Sequence, residues 1–212
     1  MHKSSSRSAL TSATLAATLL LLTTGCQTTQ PSAPLDMNAA MQKMMTAANP
    51  GPEHAWLHED VGSWRGTSKS WASAGGESMS MPAGFTVDTL LGGRFTSCRY
   101  AAKSEGMPDF EGFSITGYDL AARQFQTMWI DTYGTTMVTG SGQRSADGRT
   151  LTMTLTYFCP VRDRQATMWQ EITRESPTRQ THRMWAEDLA SGAKYLMMEA
   201  VYERADNPTT AH

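Results

Sequence analysis

The chain has 212 residues, 40% of them hydrophobic, with 18 basic and 20 acidic side chains and a formal net charge of −2. That length suits one domain with a sizeable core. The near-neutral balance, without a basic run to neutralise phosphates, argues against a nucleic-acid-binding protein.

Met1 to Arg7 contains Lys3 and Arg7 and no acid, and Ala9 to Leu22 is built only of Ala, Leu, Thr and Ser. This is the layout of a secretory signal, whose apolar stretch is too short to span a bilayer. Leu22-Thr23-Thr24-Gly25-Cys26 resembles a bacterial lipobox, with threonine in place of leucine three positions before the cysteine. The resemblance implies cleavage after residue 25 and acylation of Cys26, which would hold the protein to a membrane through acyl chains. Gln27, rather than aspartate, follows the cysteine. The expected location is therefore the outer membrane, with the protein facing the periplasm. Residues 26–36, with two prolines and no aromatic side chain, read as a flexible tether.

Residues 37–61 read as an N-terminal helical segment. Asp36 is placed to cap a helix that Asn49-Pro50-Gly51 stops, and Met37, Met41, Met44 and Met45 share one face of it at core spacing. A second helix starts at Pro52 and carries Trp56, Leu57 and Val61 up to Gly62.

From Gly62 the periodicity changes to two. Thr150 to Cys159 is the clearest strand: four threonines alternate with Leu151, Met153, Leu155 and Tyr157, one face wet and the other buried. Comparable segments are GSWRGTSKSW, GFTVDTLL, GRFTSCRYA, FEGFSITGYD, RQFQTMWIDTY, TTMVTGSGQ, RQATMWQEIT, THRMWAED and AKYLMMEAVYE. Gly75-Gly76, Asp147-Gly148 and Ser191-Gly192 mark turns. About ten short strands without intervening helices predict an all-β fold: an antiparallel meander over residues 62–204, closed into a barrel that leaves no edge strand. Residues 205–212 read as a disordered tail.

The stretches MQKMMTAANPGPEHAWL, VGSW, LGGRF, GMPDFEGFSITGYD, MWID, MVTGSG and DGRTLTMT, in that order, resemble the bacterial family catalogued as domain of unknown function 1579. The resemblance covers about Met41 to Arg204 and implies a lipocalin-like barrel, but no reaction. Gly62-Ser63-Trp64 is also similar to the Gly-x-Trp of the first lipocalin strand. There the indole closes one barrel end beneath a basic side chain, which implies a structural pair of Trp64 and Arg204.

Candidate chemistry is sparse. His54 and His58 share a helix face but lack the further ligands that a metal site needs, so ordinary surface histidines are the expectation. No metal and no cofactor are expected. His182 has no nucleophile motif to serve, and there is no G-x-S-x-G, phosphate-binding loop or dinucleotide fingerprint. The reading is therefore not an enzyme. Met79-Ser80-Met81, with the helical methionines, is a soft thioether set of the kind that favours Cu(I), weighed against plain packing by flexible side chains. Cys98 and Cys159 lie on strands that are not neighbours in a meander, and two buried free thiols are the expectation.

Binding is the remaining function. Extending the inward parity of Met153, Leu155 and Tyr157 to other strands puts Trp129, Tyr133, Met184 and Met197 inside, with Arg99, Asp131 and Glu199 as polar groups of the cavity. A small apolar or amphipathic ligand is the expected partner. A filled core serving as an envelope scaffold fits the sequence equally well.

Overall fold

The structure, a computed structural model, describes residues 35–103, 106 and 108–205. The expected signal segment, Cys26, most of the expected tether and residues 206–212 lie outside the described residues. Two helices, α1 (Met37–Ala48) and α2 (Pro52–His58), precede ten strands. These are β1 (Gly62–Trp71), β2 (Ser78–Leu90), β3 (Phe95–Ala102), β4 (Phe110–Asp119), β5 (Gln124–Asp131), β6 (Val138–Arg144), β7 (Thr150–Cys159), β8 (Arg164–Ser176), β9 (Arg179–Glu187) and β10 (Lys194–Arg204). Each strand pairs antiparallel with the next in sequence, and β10 returns to β1 from Trp64↔Arg204 to Ser70↔Met198. The result is a closed ten-stranded antiparallel barrel, in which every strand has two partners and no ladder edge is left to capture another chain.

The threonine alternation of β7 behaves as a half-buried strand should. Leu151, Met153 and Leu155 are buried and Thr152, Thr154 and Thr156 are exposed. They join Trp56, Leu57, Phe125 and Val138 in one apolar cluster. A second cluster on the far wall holds Trp64, Phe85, Val87, Ala200 and Tyr202. β2 begins at Ser78, upstream of the expected Gly84, and includes Pro82. Among the described residues the pairing of β2 with β3 ends at Ala83↔Ala102, one position short of Pro82, and proline is tolerated at such a place.

α2 closes the end of the barrel at which β1 starts. Its Trp56 and Leu57 are buried, and the Trp56 indole N–H donates to the Gly148 carbonyl at 2.8 Å. The Arg174 guanidinium lies 3.5 Å from the centre of the Trp56 ring. The same guanidinium grips Asp60 through Nε (2.8 Å) and Nη2 (2.6 Å). Helix α2 ends at His58, earlier than expected, and Val61 is partly exposed rather than packed.

Trp64 is buried beneath Arg204, whose guanidinium is 4.4 Å from the ring centre. Arg204 also donates to the carbonyls of Glu59 (2.6 Å) and Val61 (2.7 Å). Gly62 explains the spacing of its motif. Its φ is +125°, and a Cβ there would sit 2.9 Å from Arg204 Nη1, pushing the guanidinium off the indole.

α1 departs from expectation. None of its residues is buried, and Met37, Met41, Met44 and Met45 are all exposed. α2 already occupies the barrel end, so the methionine face has no core to enter; Arg94 Nε ties the helix terminus down through the Ala48 carbonyl at 3.0 Å.

Truncating Trp64 to alanine should destabilise the barrel by about 3–5 kcal/mol, the range for large buried aromatic side chains. Chemical denaturation measures it, and a change within error would show that the indole carries no packing energy.

Candidate functional site

The barrel interior is hollow, with a chamber of about 330 Å³. Trp56, Leu57 and Asp60 of the α2 segment close one end. The strand directions put the β1–β2, β3–β4, β5–β6, β7–β8 and β9–β10 connections at the other, which no helix covers among the described residues. The wall is largely apolar: Phe85, Val87, Phe110, Trp129, Leu151, Met153, Leu155, Met168, Ile172, Met184, Met197 and Met198. A larger groove, about 1140 Å³, lies along the outer face of β1–β5. It is open and mixes Arg65, Lys103 and Glu111 with Phe113 and Ile130, so it encloses nothing. The chamber is the better site for a small ligand.

Of the cavity residues expected from sequence, Trp129, Asp131, Met153, Leu155, Met184 and Met197 line the chamber. Asp131 is less a ligand contact than a support, because Oδ2 accepts from the Trp129 indole at 2.8 Å and Oδ1 from the Tyr133 N–H at 2.9 Å. Tyr157 does not line the chamber; it packs against the cluster of Leu151, Met153 and Leu155, whose parity it shares.

Three expected positions need correction. Arg99 is exposed on the outer face, its guanidinium 5.4 Å from the Phe113 ring centre, because Cys98 and Tyr100 take the inward parity of β3. Glu199 is also outside, paired with Arg183 Nε at 2.7 Å. A bulge between Leu196 and Met198 lets Met197 and Met198 both line the chamber and reverses the parity that follows. Tyr133 lies beyond the end of β5 and is exposed, its ring 4.8 Å from that of Phe110.

Residues that the sequence reading did not single out supply the polar part of the chamber. His182 and Gln180 line it from β9, with His182 Nε2 2.8 Å from Gln180 Oε1. The parity that turns Met184 inwards turns both of them inwards too, so the signal was present in the strand. His182 is walled off from bulk solvent, which pushes its pKa down to about 4, yet the ring keeps free surface towards the chamber. Its rings of contact are Tyr202 at 5.0 Å and Phe85 at 5.4 Å. Gln180 is almost wholly buried, and its Nε2 has no hydrogen-bond partner among the described residues. Cys98 also faces the chamber; burial, then the nearby Asp60 carboxylate, pushes its thiol up to about 12. Both Cys98 and Cys159 are free. Burial raises the Asp60 carboxyl as well, against the opposing pull of Arg174.

The two histidines of α2 take separate roles. His54 is buried, and its Nδ1 accepts the Gly51 N–H at 2.9 Å, which occupies that nitrogen at the helix start. His58 Nε2 is buried beside Gly93 without a partner among the described residues. Met81 packs against the second apolar cluster, and Met79, opposite Ser70 in the β1–β2 ladder, lies exposed.

These features define a closed antiparallel barrel with an apolar chamber capped by a helix. The chain belongs to the family described as "Protein of unknown function (DUF1579)", whose model matches residues 49–204. Two solved structures share the fold. Rv2717c from M. tuberculosis superposes with a TM-score of 0.59 at 11% identity, covering 74% of this chain and 100% of that one. The S-type phycobiliprotein lyase CPES from Guillardia theta gives 0.52 at 11% identity, covering 76% and 97%. No curated protein matches the sequence.

The His182 shift makes stability depend on pH. The unfolded chain takes up the imidazole proton near pH 6.5, whereas the folded protein resists it down to about 4. Stability should therefore fall as pH drops between those values, by up to roughly 3 kcal/mol from this group. Denaturation midpoints should show a flatter profile over that window in His182→Leu, whatever its absolute stability; an unchanged slope would place the proton elsewhere.

Proposed function

We propose that this protein is a lipid-anchored envelope barrel, facing the periplasm from the outer membrane, that holds a small apolar or amphipathic ligand in its interior. One observation carries the binding part of this reading: a barrel that could be packed solid leaves a chamber of about 330 Å³. At about 24 cal/mol per Å³, an empty void of that size costs on the order of 8 kcal/mol, comparable with the whole stability of a small domain. Water on the polar groups lowers the figure, but the apolar wall gains only when something apolar covers it. The space lies within the range of small-ligand sites and is mostly apolar, with a few convergent polar groups. One protein of this build is a phycobiliprotein lyase, so the fold by itself does not argue against catalysis. Among the described residues the one ring-nitrogen hydrogen bond His182 makes in the chamber is to the Gln180 amide, not to a hydroxyl or thiol, which favours binding over catalysis.

The anchor rests on the lipobox-like Leu22 to Cys26. Changing Cys26 to alanine should move the protein from the membrane fraction to the soluble one. Retention in membranes after a high-salt wash would reject the anchor.

Native mass spectrometry of the purified protein tests the chamber. A bound mass that organic extraction removes is the expected result, and a bare mass across several preparations would count against a ligand and for a scaffold role.

A further inference from the structure

The chamber is not uniformly apolar along its axis, and its polar groups are neither evenly placed nor evenly satisfied. At the capped end, Gln180 is paired across the sheet with Arg174 and Tyr202, and His182 follows one inward position later. Towards the opposite end, the wall turns to methionine: Met168, Met184, Met197 and Met198. Thioethers are flexible and polarizable, and they adapt to apolar chains of varied shape.

The charge inventory is equally directional. No lysine or arginine side chain lines the chamber. Its two carboxylates are already engaged, Asp60 by Arg174 and Asp131 by the Trp129 indole and the Tyr133 N–H. A carboxylate or phosphate head would therefore be buried with no cation to meet it, at a cost of several kcal/mol. One donor is left over. Gln180 Nε2, in a side chain only 1% exposed, has no partner among the described residues, while its Oε1 is held by His182. Buried donors without partners are rare in native proteins and call for a specific explanation.

We propose that the chamber takes an uncharged amphipathic molecule, bound with a hydrogen-bond-accepting head such as a carbonyl against Gln180 at the capped end and its apolar chain among the methionines. His182 fixes the amide, its ring nitrogen on Oε1 turning the NH₂ group to receive the head. The inference rests on the chamber reading and adds the polarity, charge and direction of the ligand.

Three probes of matched length separate the terms: octane, methyl hexyl ketone and octanoate, each measured by displacement of the fluorescent amine N-phenyl-naphthylamine from the purified protein at neutral pH. The ketone should bind at least about tenfold tighter than octanoate, since only the latter buries a charge. Gln180→Leu should weaken ketone binding about tenfold, the worth of one buried hydrogen bond, and leave octane binding no weaker. Octane binding also reports that the variant has kept its chamber, and the comparison of ketone with octanoate needs no variant at all. Octane binding with the ketone unaffected by Gln180→Leu, or with octanoate as tight as the ketone, would overturn the inference and leave the chamber reading intact. Failure of all three probes to displace the amine would remove the chamber reading itself, and this inference with it.

Discussion

The fold depends on how one guanidinium is used. Arg174 stacks on Trp56 and closes a two-toothed pair with Asp60, while its remaining amino group reaches Glu59 at 3.1 Å. Arg204, on the last strand, takes the backbone carbonyls on either side of Asp60. The segment between α2 and β1 is thus held by side chains through one arginine and by main chain through the other. Burying Asp60 is costly, as the raised carboxyl shows, and a bidentate partner with an aromatic floor is what makes the cost bearable. The lid packs Trp56 and Leu57 against Phe125 and the β7 side chains, and its fastening at the rim leaves the rest of the interior hollow.

The same arrangement separates two jobs that many small domains combine. In β7 the buried side chains both stabilise the sheet and form the wall of the chamber. Across the barrel, Trp64, Ala83 and Ala200 pack without touching the chamber, tied to the end structure through Gly62 and Arg204. Buried apolar clusters lie on both walls, and Arg174 and Arg204 fasten the capped end. The opposite end is then free to be lined by flexible methionines, which would make a poor structural core.

Much of this was legible in the sequence, for reasons that can be named. Strict alternation in β7 and the turn glycines gave strand number and order, because period two and positive-φ punctuation are local signals. Closure followed from a meander that would otherwise expose two edges. What failed was phase. Arg99 was placed inside because β3 mixes polar and apolar residues on both faces, so no alternation separates Cys98 and Tyr100 from their neighbours. Glu199 was placed inside because a bulge in β10 has no sequence mark among consecutive methionines. The α1 methionines have core spacing but no core to meet, a fact of tertiary arrangement that periodicity cannot carry. Gln180 was overlooked and His182 weighed only as a catalytic group, for the opposite reason: their parity was readable, but polar side chains are not what a search for an apolar wall looks for.

A closed meander with an even number of strands brings the chain out where it came in. The helices enter the barrel at its capped end, and β10 finishes there beside β1, with Trp64 opposite Arg204. The first and last strands of the barrel therefore meet on the lid side. The connections at the far end stay clear of that meeting point. Their lengths and sequences can drift without disturbing the lid, so evolution, or an engineer, can refashion the doorway of this vessel while leaving its base untouched.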